Sequence, residues 1–385
     1  MRICIDISQI VYDTGVSRYT KELVRHLLKI DKKNDYLLFA GAWRQKNKIE
    51  NYLQELKEEG LKFEAKIVFL PPKLADLVFN QLRIPVDSFI GQVDVFHASN
   101  WTTPKTKAKL VTTVHDLTPI IYPETFPASL ISNFKRNLRL VGETADLVLA
   151  DCQTTKNDLV KHSRLDSQSI KTVYLAAGKE FKQVKNKKKI ELIKRKYGIK
   201  KGEYILSVGT QEPRKNIKRL IRTFVRLNHV KVSLVLVGKY GWGPTSPRRR
   251  HSLWRRTAGL RRVISTGFVD DKDLATLYSG AKAFIYPSLY EGFGLPILEA
   301  MQSGCPVITS NRSSMAEIAG QAGLLINPED IEGMTGILEK VLKDGEMRKE
   351  MTKKGLVQAG RFSWEKTAKE TITAYRKVVN YGDVD

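Results

Sequence analysis

The segment that ends at Glu299 contains residue types at a spacing suited to binding a sugar nucleotide. It reads Ser-Leu-Tyr-Glu-Gly-Phe-Gly-Leu-Pro-Ile-Leu-Glu, so that Glu291 and Glu299 bracket a Gly-x-Gly turn. Gly292 and Gly294 let a ligand approach the main chain, and Pro296 is typical of a helix start, whose N–H groups attract anions. Carboxylates placed in this way can accept hydrogen bonds from vicinal hydroxyls on a sugar and on a ribose. We therefore predict a glycine loop opening into a helix, with Glu291 in the loop and Glu299 in the helix's first turn.

A second candidate is His115, which directly follows the apolar segment 109–114. That position places the imidazole at the end of a predicted buried strand, where it could contact the sugar and the reacting centre. A single histidine at such a place often makes only a structural hydrogen bond. On the residues alone, both interpretations stay open.

Two further strand ends supply secondary candidates. Gly15 lies where the chain leaves the first strand and enters the first helix, so its amide could lie beside a phosphate or an acceptor. A helix-capping turn explains this glycine almost as well. His97, Asn100 and Trp101 follow another strand and are candidates for an acceptor pocket, with a purely structural role as the alternative.

The elements that must position these residues are short β-branched segments that alternate with helical ones, a pattern that predicts parallel sheets covered by helices. The first series of predicted strands is 2–7, 36–40, 66–70, 94–97, 109–114 and 146–150. The second series is 204–208, 232–237, 263–266, 283–286, 307–309 and 324–326. Each series predicts an α/β domain with a doubly wound, Rossmann-like sheet, which binds ligands at the carboxyl ends of its strands. We expect the active site in a cleft between the two domains.

A polar and basic stretch separates the two series and predicts a linker that enters a helix. We place the domain boundary there, with an acceptor-side domain over residues 1–181 and a donor-binding domain over residues 182–363. The final helical stretch, 364–385, is expected to pack back on the first domain, since a terminal helix need not belong to the domain it follows.

Lysine and arginine outnumber aspartate and glutamate by 65 to 41, which gives the 385-residue chain a formal charge of +24. This excess favours a partner that carries phosphate, such as a nucleotide, an anionic lipid surface or a nucleic acid. Apolar stretches of about 18 residues, as a membrane-spanning helix needs, do not occur. The three cysteines are far apart and are interpreted as buried thiols, so we expect a cytoplasmic protein. Peripheral contact with the inner face of the membrane stays open.

The Glu291 and Glu299 pair forms an E-x7-E motif that resembles glycosyltransferase family 4, and the resemblance extends over essentially the whole chain. Its context is similar too: Val-Gly-Thr-Gln-Glu-Pro-Arg-Lys-Asn ends at Asn216, Leu-Val-Gly-Lys at Lys239, and Thr-Gly-Phe-Val at Val269. The resemblance implies a GT-B fold and a retaining glycosyltransferase that uses a nucleotide sugar. The segments Thr-Thr-Val-His-Asp-Leu and Phe-Ser-Trp-Glu-Lys-Thr-Ala-Lys-Glu-Thr are similar to those of bacterial mannosyltransferases of polysaccharide and O-antigen assembly.

Within that resemblance, Glu291 would bind the donor sugar and Glu299 the ribose hydroxyls. His115 matches the family's active-site histidine. The backbone amides of the glycine loop would bind the sugar and the diphosphate; they belong to Gly292, Phe293, Gly294 and Leu295.

The resemblance also implies that Arg214 and Lys215 hold the diphosphate. Two fixed cations stabilise a departing nucleoside diphosphate most at the transition state, and here they take the role that a divalent metal plays elsewhere. Exposed charge at the start of a helix is the alternative for this pair. Phe268 and Val269 resemble the family's base-contacting turn, although packing of either side chain in the core fits equally well.

Double displacement needs a carboxylate nucleophile, and none is clearly placed for that role. The resemblance implies front-face substitution instead, in which the leaving phosphate assists deprotonation of the acceptor hydroxyl. GDP-mannose is the favoured donor, and a glycan or a polyprenyl-linked glycan is the expected acceptor. Asp270, Asp271 and Asp273 are typical of a helix N-terminus rather than of a metal-carrying strand end. We therefore expect neither a metal ion nor another cofactor.

Other interpretations concern a membrane surface, epimerisation and nucleic acid. The segment 71–83 could lay an apolar stripe on a membrane, although a helix that faces the core is favoured. A sugar-nucleotide epimerase of related fold would bind a similar diphosphate, but the E-x7-E motif argues against it. A nucleic-acid-binding protein would explain the charge, yet the sequence lacks zinc-finger spacing, an RNP-like strand and a recognition helix, so nucleic acid is not the expected partner.

Overall fold

The computed structural model describes residues 1–12, 14–98, 102–199, 202–227, 231–239, 241 and 262–380. The chain divides into two units at Leu175 rather than at the expected residue 181, and the segment from Ser363 onward belongs to the first unit. Each unit contains its own parallel sheet with helices. The two sheets confirm the predicted α/β class.

The sheet of the first unit has seven described strands, all paired in parallel. In chain order they are β1 (Arg2–Asp6), β2 (Asp35–Ala42), β3 (Glu64–Phe69), β4 (Val95–Ala98), β5 (Lys109–Val114), β6 (Leu147–Ala150) and β7 (Ile170–Thr172). Their order across the sheet is β3-β2-β1-β4-β5-β6-β7. The winding reverses between β1 and β4, and doubly wound sheets bind ligands beside such a reversal.

The longer helices of this unit bury one face each. In α1, the residues Leu23, Val24, Leu27 and Leu28 recur at helical spacing and are buried, so they form one apolar face of the helix. The α-helices are α1 (Gly15–Ile30), α2 (Lys46–Glu58), α3 (Pro72–Ala75), α4 (Asp87–Ile90), α5 (Thr118–Ile121), α6 (Ala128–Thr144) and α7 (Gln153–His162). A π-helical stretch, Asp76–Gln81, continues α3, and short 3-10 turns lie at Ser8–Tyr12, Pro123–Thr125 and Ser167–Ser169.

The second unit repeats the plan with six described strands, again all parallel. They are β8 (Glu203–Val208), β9 (Val232–Val237), β10 (Val263–Gly267), β11 (Ala283–Tyr286), β12 (Val307–Ser310) and β13 (Leu324–Ile326). Their order is β10-β9-β8-β11-β12-β13, so the winding reverses between β8 and β11. The loops that follow these two strands therefore lie where a ligand is expected.

The second unit's helices flank this sheet. Asp270 caps one of them by accepting a hydrogen bond from the Asp273 amide at 3.0 Å, which confirms the predicted role of these acidic residues at a helix start. The described α-helices are α8 (Lys187–Lys196), α9 (Ile217–Arg226), α10 (Asp271–Gly280), α11 (Leu295–Gln302), α12 (Ser313–Ala319), α13 (Ile331–Lys343) and α14 (Gly345–Ala359). Two 3-10 turns lie at Pro213–Lys215 and Gly320–Ala322.

The last helix, α15 (Trp364–Asn380), packs on the first unit beside α1. The Tyr375 hydroxyl lies 2.6 Å from Nδ1 of His97, and Nε2 of His97 lies 2.8 Å from the Thr113 hydroxyl. The Thr113 hydroxyl also lies 2.8 Å from that of Tyr19. Among the described residues, no helix is both long and apolar enough to cross a membrane.

This network corrects the acceptor role predicted for His97. The side chain is buried and both ring nitrogens have protein partners, so neither is available to an acceptor. Burial, together with the nearby His115, lowers the pKa of His97 to about 3, and the ring is neutral at physiological pH. The sequence does not indicate this role, because Tyr375 lies on a helix 278 residues further along the chain.

Replacing Tyr375 by phenylalanine is expected to weaken the attachment of α15. The change leaves Nδ1 of His97 buried without its partner, which typically costs about 1–3 kcal/mol. Calorimetry should show a lower midpoint of thermal unfolding in Tyr375→Phe, while the same change at the exposed Tyr12 should leave the midpoint unaltered. Equal midpoints for both variants would show that the hydrogen bond does not stabilise the docked helix.

Candidate active site

Two loops meet where the winding of the second sheet reverses, one after β8 and the other after β11. Asn216 adopts a left-handed backbone conformation, with φ of 58°, at the end of the first loop. Its side-chain amide donates to the carbonyl oxygens of Pro287 at 3.2 Å and Pro328 at 2.6 Å. The Leu289 amide donates to the Arg214 carbonyl at 2.8 Å. These contacts fix the two loops against each other.

A buried charge cluster joins the same loops through side chains. Glu291 accepts a hydrogen bond from Arg214 Nη1 at 2.6 Å and another, on its second oxygen, from Lys215 Nζ at 2.6 Å. Nε of Arg214 also lies 2.6 Å from a carboxylate oxygen of Glu212. The Tyr286 hydroxyl accepts from Lys215 at 2.6 Å. The residues predicted to bind sugar and diphosphate thus lie together, and Glu212 was missed.

Burial and the pairing of opposite charges together determine the pKa values in the cluster. Burial alone would raise the pKa of Glu291, but the charges of Arg214 and Lys215 outweigh it and lower the pKa to about 2. Burial and the neighbouring Arg214 lower the pKa of Lys215, and the Glu291 carboxylate opposes that shift. Two carboxylates and two cations give a formally neutral group. The exposed helix-entry alternative for Arg214 and Lys215 is therefore wrong, since both side chains are largely buried.

Glycine is required where the exits of β8 and β9 touch. Gly238 has a φ of +134°, and a Cβ there would lie 2.1 Å from the Gly209 carbonyl oxygen. Gly209 in turn has a φ of +144° and lies against the aliphatic part of Lys215, 3.4 Å from where its own Cβ would be. The close backbone approach therefore forms one wall beside the cation.

The glycine loop opens into α11 as the sequence predicts, but Glu299 lies one turn further into the helix than expected. Gly294 is the N-terminal cap, with a left-handed φ of 94°, and Glu299 is the fifth residue of the helix. Its carboxylate is buried and accepts a hydrogen bond from the Tyr278 hydroxyl at 3.3 Å. The hydroxyls of Ser313 and Ser314 donate to the Glu291 carbonyl at 2.6 and 2.8 Å, which fixes the start of the loop.

The remaining residues of the glycine loop differ in how far they are exposed to solvent. The Phe293 side chain is buried and makes an edge-on contact with Phe362, at 6.3 Å between ring centroids. It can therefore reach a ligand only through its backbone. Gly292 is buried as well, and Leu295 is partly exposed at the helix start.

The turn after β10 distinguishes the two residues predicted to contact a base. Val269 is buried and packs in the core, whereas the Phe268 side chain is 62% exposed. The Lys239 ammonium lies 5.2 Å from the Phe268 ring centroid, which is a cation–π distance. Phe268 is thus the residue of this pair with a free aromatic face for stacking.

In the first unit, His115 lies directly after β5 and pairs with Asp151, which directly follows the neighbouring strand β6. Nδ1 of His115 is 2.7 Å from a carboxylate oxygen of Asp151, and both side chains are buried. The Tyr19 ring packs edge-on against the imidazole, with centroids 4.7 Å apart. Within the described residues, Nε2 of His115 is buried without a hydrogen-bond partner, so this nitrogen is available to a ligand or a water molecule.

Asp151 sets the protonation of this imidazole. Burial alone would lower the pKa of His115, but the charge and hydrogen bond of Asp151 outweigh burial and raise the pKa above its ordinary value. The sequence analysis missed Asp151. The available signal was its position immediately after a predicted strand, in Ala150-Asp151-Cys152.

The remaining predicted positions are spread over the first unit. Gly15 is the exposed first residue of α1, and the Thr14 side chain caps that helix by accepting from the Ser17 amide at 3.4 Å. Asn100 and Trp101 lie outside the described residues. In the described ranges, no group of three or more His, Cys, Asp or Glu side chains is arranged to hold a metal ion. The expected independence from metal stays a prediction.

Comparison with known proteins gives the family. Residues 14–176 match the model described as Glycosyltransferase Family 4, and residues 189–358 match the one described as Glycosyl transferases group 1. The chain is 31% identical over 396 aligned positions to the O-antigen chain mannosyltransferase B of Escherichia coli, covering 98% of this chain and 100% of that protein. It is 32% identical over 280 positions to the serotype-specific mannosyltransferase WbdA of Escherichia coli, covering 70% of this chain and 34% of that longer protein.

A solved structure shares the fold. The crystal structure of Anabaena Alr3699/HepE in complex with UDP and glucose has a TM-score of 0.74 at 17% identity, covering 98% of this chain and 100% of that one. The two parallel-sheet domains and these likenesses define a glycosyltransferase of the GT-B fold. The chain belongs to glycosyltransferase family 4. This membership favours sugar transfer over the epimerase and nucleic-acid interpretations.

The low pKa of Glu291 predicts that the second unit is labile to acid. A carboxyl whose folded pKa lies below its unfolded value of about 4.5 stabilises the fold above that value, and the contribution is lost as the pH falls towards 2. The shift corresponds to a contribution on the order of 3 kcal/mol. Calorimetry between about pH 6 and pH 3 should show that the thermal midpoint of Glu291→Gln depends less steeply on pH than that of the wild type.

Glu332→Gln is the matched control for this titration, because Glu332 is exposed and pairs only loosely, at 3.4 Å, with Arg226. The thermal midpoint of Glu332→Gln should depend on pH in the same way as that of the wild type. If the profile of Glu291→Gln also follows the wild type, the carboxylate is not held ionised by the two cations.

Replacing Asp151 by asparagine should lower the pKa of His115, because burial then acts without the opposing carboxylate. NMR titration of the imidazole resonances measures this directly, with His115→Gln used to assign the signal. Asp166→Asn, at an exposed position, should leave the titration unchanged. An unaltered His115 pKa in Asp151→Asn would show that the pairing does not control the proton.

Proposed function

We propose that the protein transfers mannose from GDP-mannose to a glycan or a polyprenyl-linked glycan, with retention of the anomeric configuration. The observation that carries the proposal is the buried cluster of Arg214, Lys215 and Glu291 at the winding reversal of the second sheet. In this proposal, the two cations bind the diphosphate and the neighbouring carboxylate binds sugar hydroxyls. The choice of mannose is supported by the names of the Escherichia coli relatives, which are mannosyltransferases.

In this proposal the second unit contacts every part of the donor: the base, the ribose, the diphosphate and the mannose. Glu299 accepts hydrogen bonds from the ribose hydroxyls, and the exposed ring of Phe268 stacks on the base. Glu291 accepts from hydroxyls of the mannose. The backbone amides at the start of α11 lie beside the diphosphate, where the partial positive charge of a helix N-terminus favours an anion.

The transfer step is a front-face substitution. The acceptor oxygen forms a bond to the anomeric carbon while the bond from that carbon to the diphosphate oxygen breaks, and the hydroxyl proton passes to the leaving phosphate. Arg214 and Lys215 stabilise the negative charge that develops on the leaving group, an effect that is largest at the transition state. No metal ion takes part in the proposed step.

His115 contributes to the same reaction through Nε2, the nitrogen that faces away from Asp151. A hydrogen bond from Nε2 to the transferred sugar would satisfy this buried atom, and Asp151 is the positioning residue that fixes the ring. In the first unit, Gly15 offers the amide at the start of α1 to a phosphate or an acceptor hydroxyl.

The deciding experiment measures release of nucleoside diphosphate from GDP-mannose and from several UDP-sugars, with and without EDTA. We expect release from GDP-mannose that EDTA does not change and that falls about 100-fold or more in His115→Ala and Glu299→Ala. Glu346→Ala, at an exposed position, should retain full activity.

The outcomes separate the parts of the proposal. Release from a UDP-sugar instead of GDP-mannose would overturn the choice of donor, and loss of activity with EDTA would overturn metal independence. With an acceptor in hand, NMR of the new linkage reads its anomeric configuration, and inversion would reject the front-face step. If the protein neither binds any donor nor releases nucleoside diphosphate from one, the whole assignment is rejected.

A further inference from the structure

The imidazole of His115 is supported by the Tyr19 ring as well as by the Asp151 carboxylate. The hydrogen bond from Asp151 holds one ring nitrogen, but its broad angular preference restricts tilting of the ring only weakly. The Tyr19 ring packs edge-on against the imidazole, with centroids 4.7 Å apart and planes at 75°. Edge-to-face packing at this separation is favourable and depends on geometry. The two contacts together define both the place and the plane of the imidazole.

Tyr19 is itself fixed through its hydroxyl. The side chain is buried on α1, and its hydroxyl lies 2.8 Å from that of Thr113. Thr113 lies in β5 two residues before His115, so the alternation of side chains places both on one face of the sheet. Burial raises the pKa of the Tyr19 phenol, which is therefore a neutral hydrogen-bonding group at physiological pH. Tyr19 thus joins the strand to the imidazole that follows it.

The last helix, α15, contacts this arrangement at two places. The Trp364 ring, at the start of the helix, lies 6.3 Å from the Tyr19 ring between centroids. Tyr375 acts through His97, whose two ring nitrogens lie 2.6 Å from the Tyr375 hydroxyl and 2.8 Å from the Thr113 hydroxyl. Trp364 and Tyr375 are about three helical turns apart, which places them on one face of α15. That face reaches Tyr19 directly and Thr113 through His97.

The polar composition of this chain of contacts is not explained by packing alone. The two tyrosines, the threonine and His97 bring hydroxyls and an imidazole into the interior, where they lose hydration. Apolar side chains of similar size would avoid that loss. A buried polar network whose members are all hydrogen-bonded instead makes the structure rigid and specifies one arrangement. The group at the end of this chain of contacts is the candidate active-site histidine.

We propose that Tyr19 is a positioning residue that holds the His115 imidazole for sugar transfer, and that α15 keeps Tyr19 in place. The inference rests on the role of His115 in the proposed function. Tyr19 acts through the histidine rather than on the reacting atoms, because it fixes the direction in which Nε2 points. A misplacement on the order of 1 Å can slow a reaction about 100-fold. The final helix therefore supports transfer although it contributes no reacting group.

The test compares Tyr19→Leu, which removes the ring, with Tyr19→Phe, which keeps the ring and removes the hydroxyl. We expect kcat for release of nucleoside diphosphate from GDP-mannose to fall about tenfold or more in Tyr19→Leu, and by less in Tyr19→Phe. KM for GDP-mannose should stay nearly unchanged, because the second unit binds the donor. In NMR spectra, the proton signals of the His115 imidazole should move in Tyr19→Leu, since the ring current of the tyrosine is lost.

Tyr52→Leu is the matched control, because Tyr52 is also a buried tyrosine of the first unit. Its hydroxyl also bonds to α1, by donating to the Lys21 carbonyl at 2.7 Å. Tyr52→Leu should lower the thermal midpoint as Tyr19→Leu does, but kcat and the His115 signals should match those of the wild type.

The contribution of α15 is tested by combining Tyr19→Phe with Tyr375→Phe. Both changes break the same chain of hydrogen bonds, so their effects on kcat should not be additive. Additive effects would overturn the part of the proposal that concerns α15.

A wild-type kcat in Tyr19→Leu, or His115 signals that do not move, would overturn the positioning role. An equal loss of kcat in Tyr52→Leu would overturn it too, because the loss would then follow from destabilisation alone. Tyr19→Phe keeps the interior filled and gives an answer even where Tyr19→Leu does not fold, since a wild-type kcat in Tyr19→Phe also contradicts the proposal. The NMR measurement needs no donor. If the wild type turns over no donor while the His115 signals move in Tyr19→Leu, the proposed function fails and the contact that positions the imidazole is supported.

Discussion

The carboxylate of Glu291 is the group on which the arrangement of the loops in the second unit depends. It binds Arg214 and Lys215 from the loop after β8, although it belongs to the loop after β11, and so it joins the two sides of the winding reversal. Burying two opposite charges removes their hydration, and the attraction between them often only offsets that cost. Apolar residues of similar size would therefore stabilise the loops about as well. The presence of these charges is better explained by ligand binding than by stability.

In the proposed reaction, the balance of charge in that cluster constrains how the diphosphate binds. Glu212 and Glu291 already accept the hydrogen bonds of Arg214 and Lys215, so an incoming anion competes with carboxylates for the same donors. If hydroxyls of the donor sugar engage Glu291, its competition for the cations weakens while the diphosphate arrives. After transfer the sugar is gone and the carboxylate again competes with the leaving group. The same pairing would then favour binding of the intact donor over its nucleoside diphosphate product.

Much of the fold could be predicted because buried parallel strands are short, continuous apolar segments. The strand missed was β7, whose three residues at the sheet edge give too little apolar sequence to stand out. In the site, residue type and spacing singled out Glu291, whereas Arg214 and Lys215 were singled out through the resemblance to the family. The ion pairs among them were not predictable, because they require β8 and β11 to be neighbours. The local sequence does not determine the order of strands in a sheet. Asp151 was missed for the same reason.

His97 and His115 show what position along a strand can and cannot determine. His97 lies within β4, His115 directly follows the neighbouring strand β5, and both are buried. His97 is occupied on both ring nitrogens because α15 returns to the first unit and places Tyr375 against it. Within the described ranges, His115 has a hydrogen-bond partner on one nitrogen only, and that partner is a carboxylate that favours the charged ring. The chemical difference between the two histidines therefore comes from tertiary partners remote in sequence, one of which lies on the last helix of the chain.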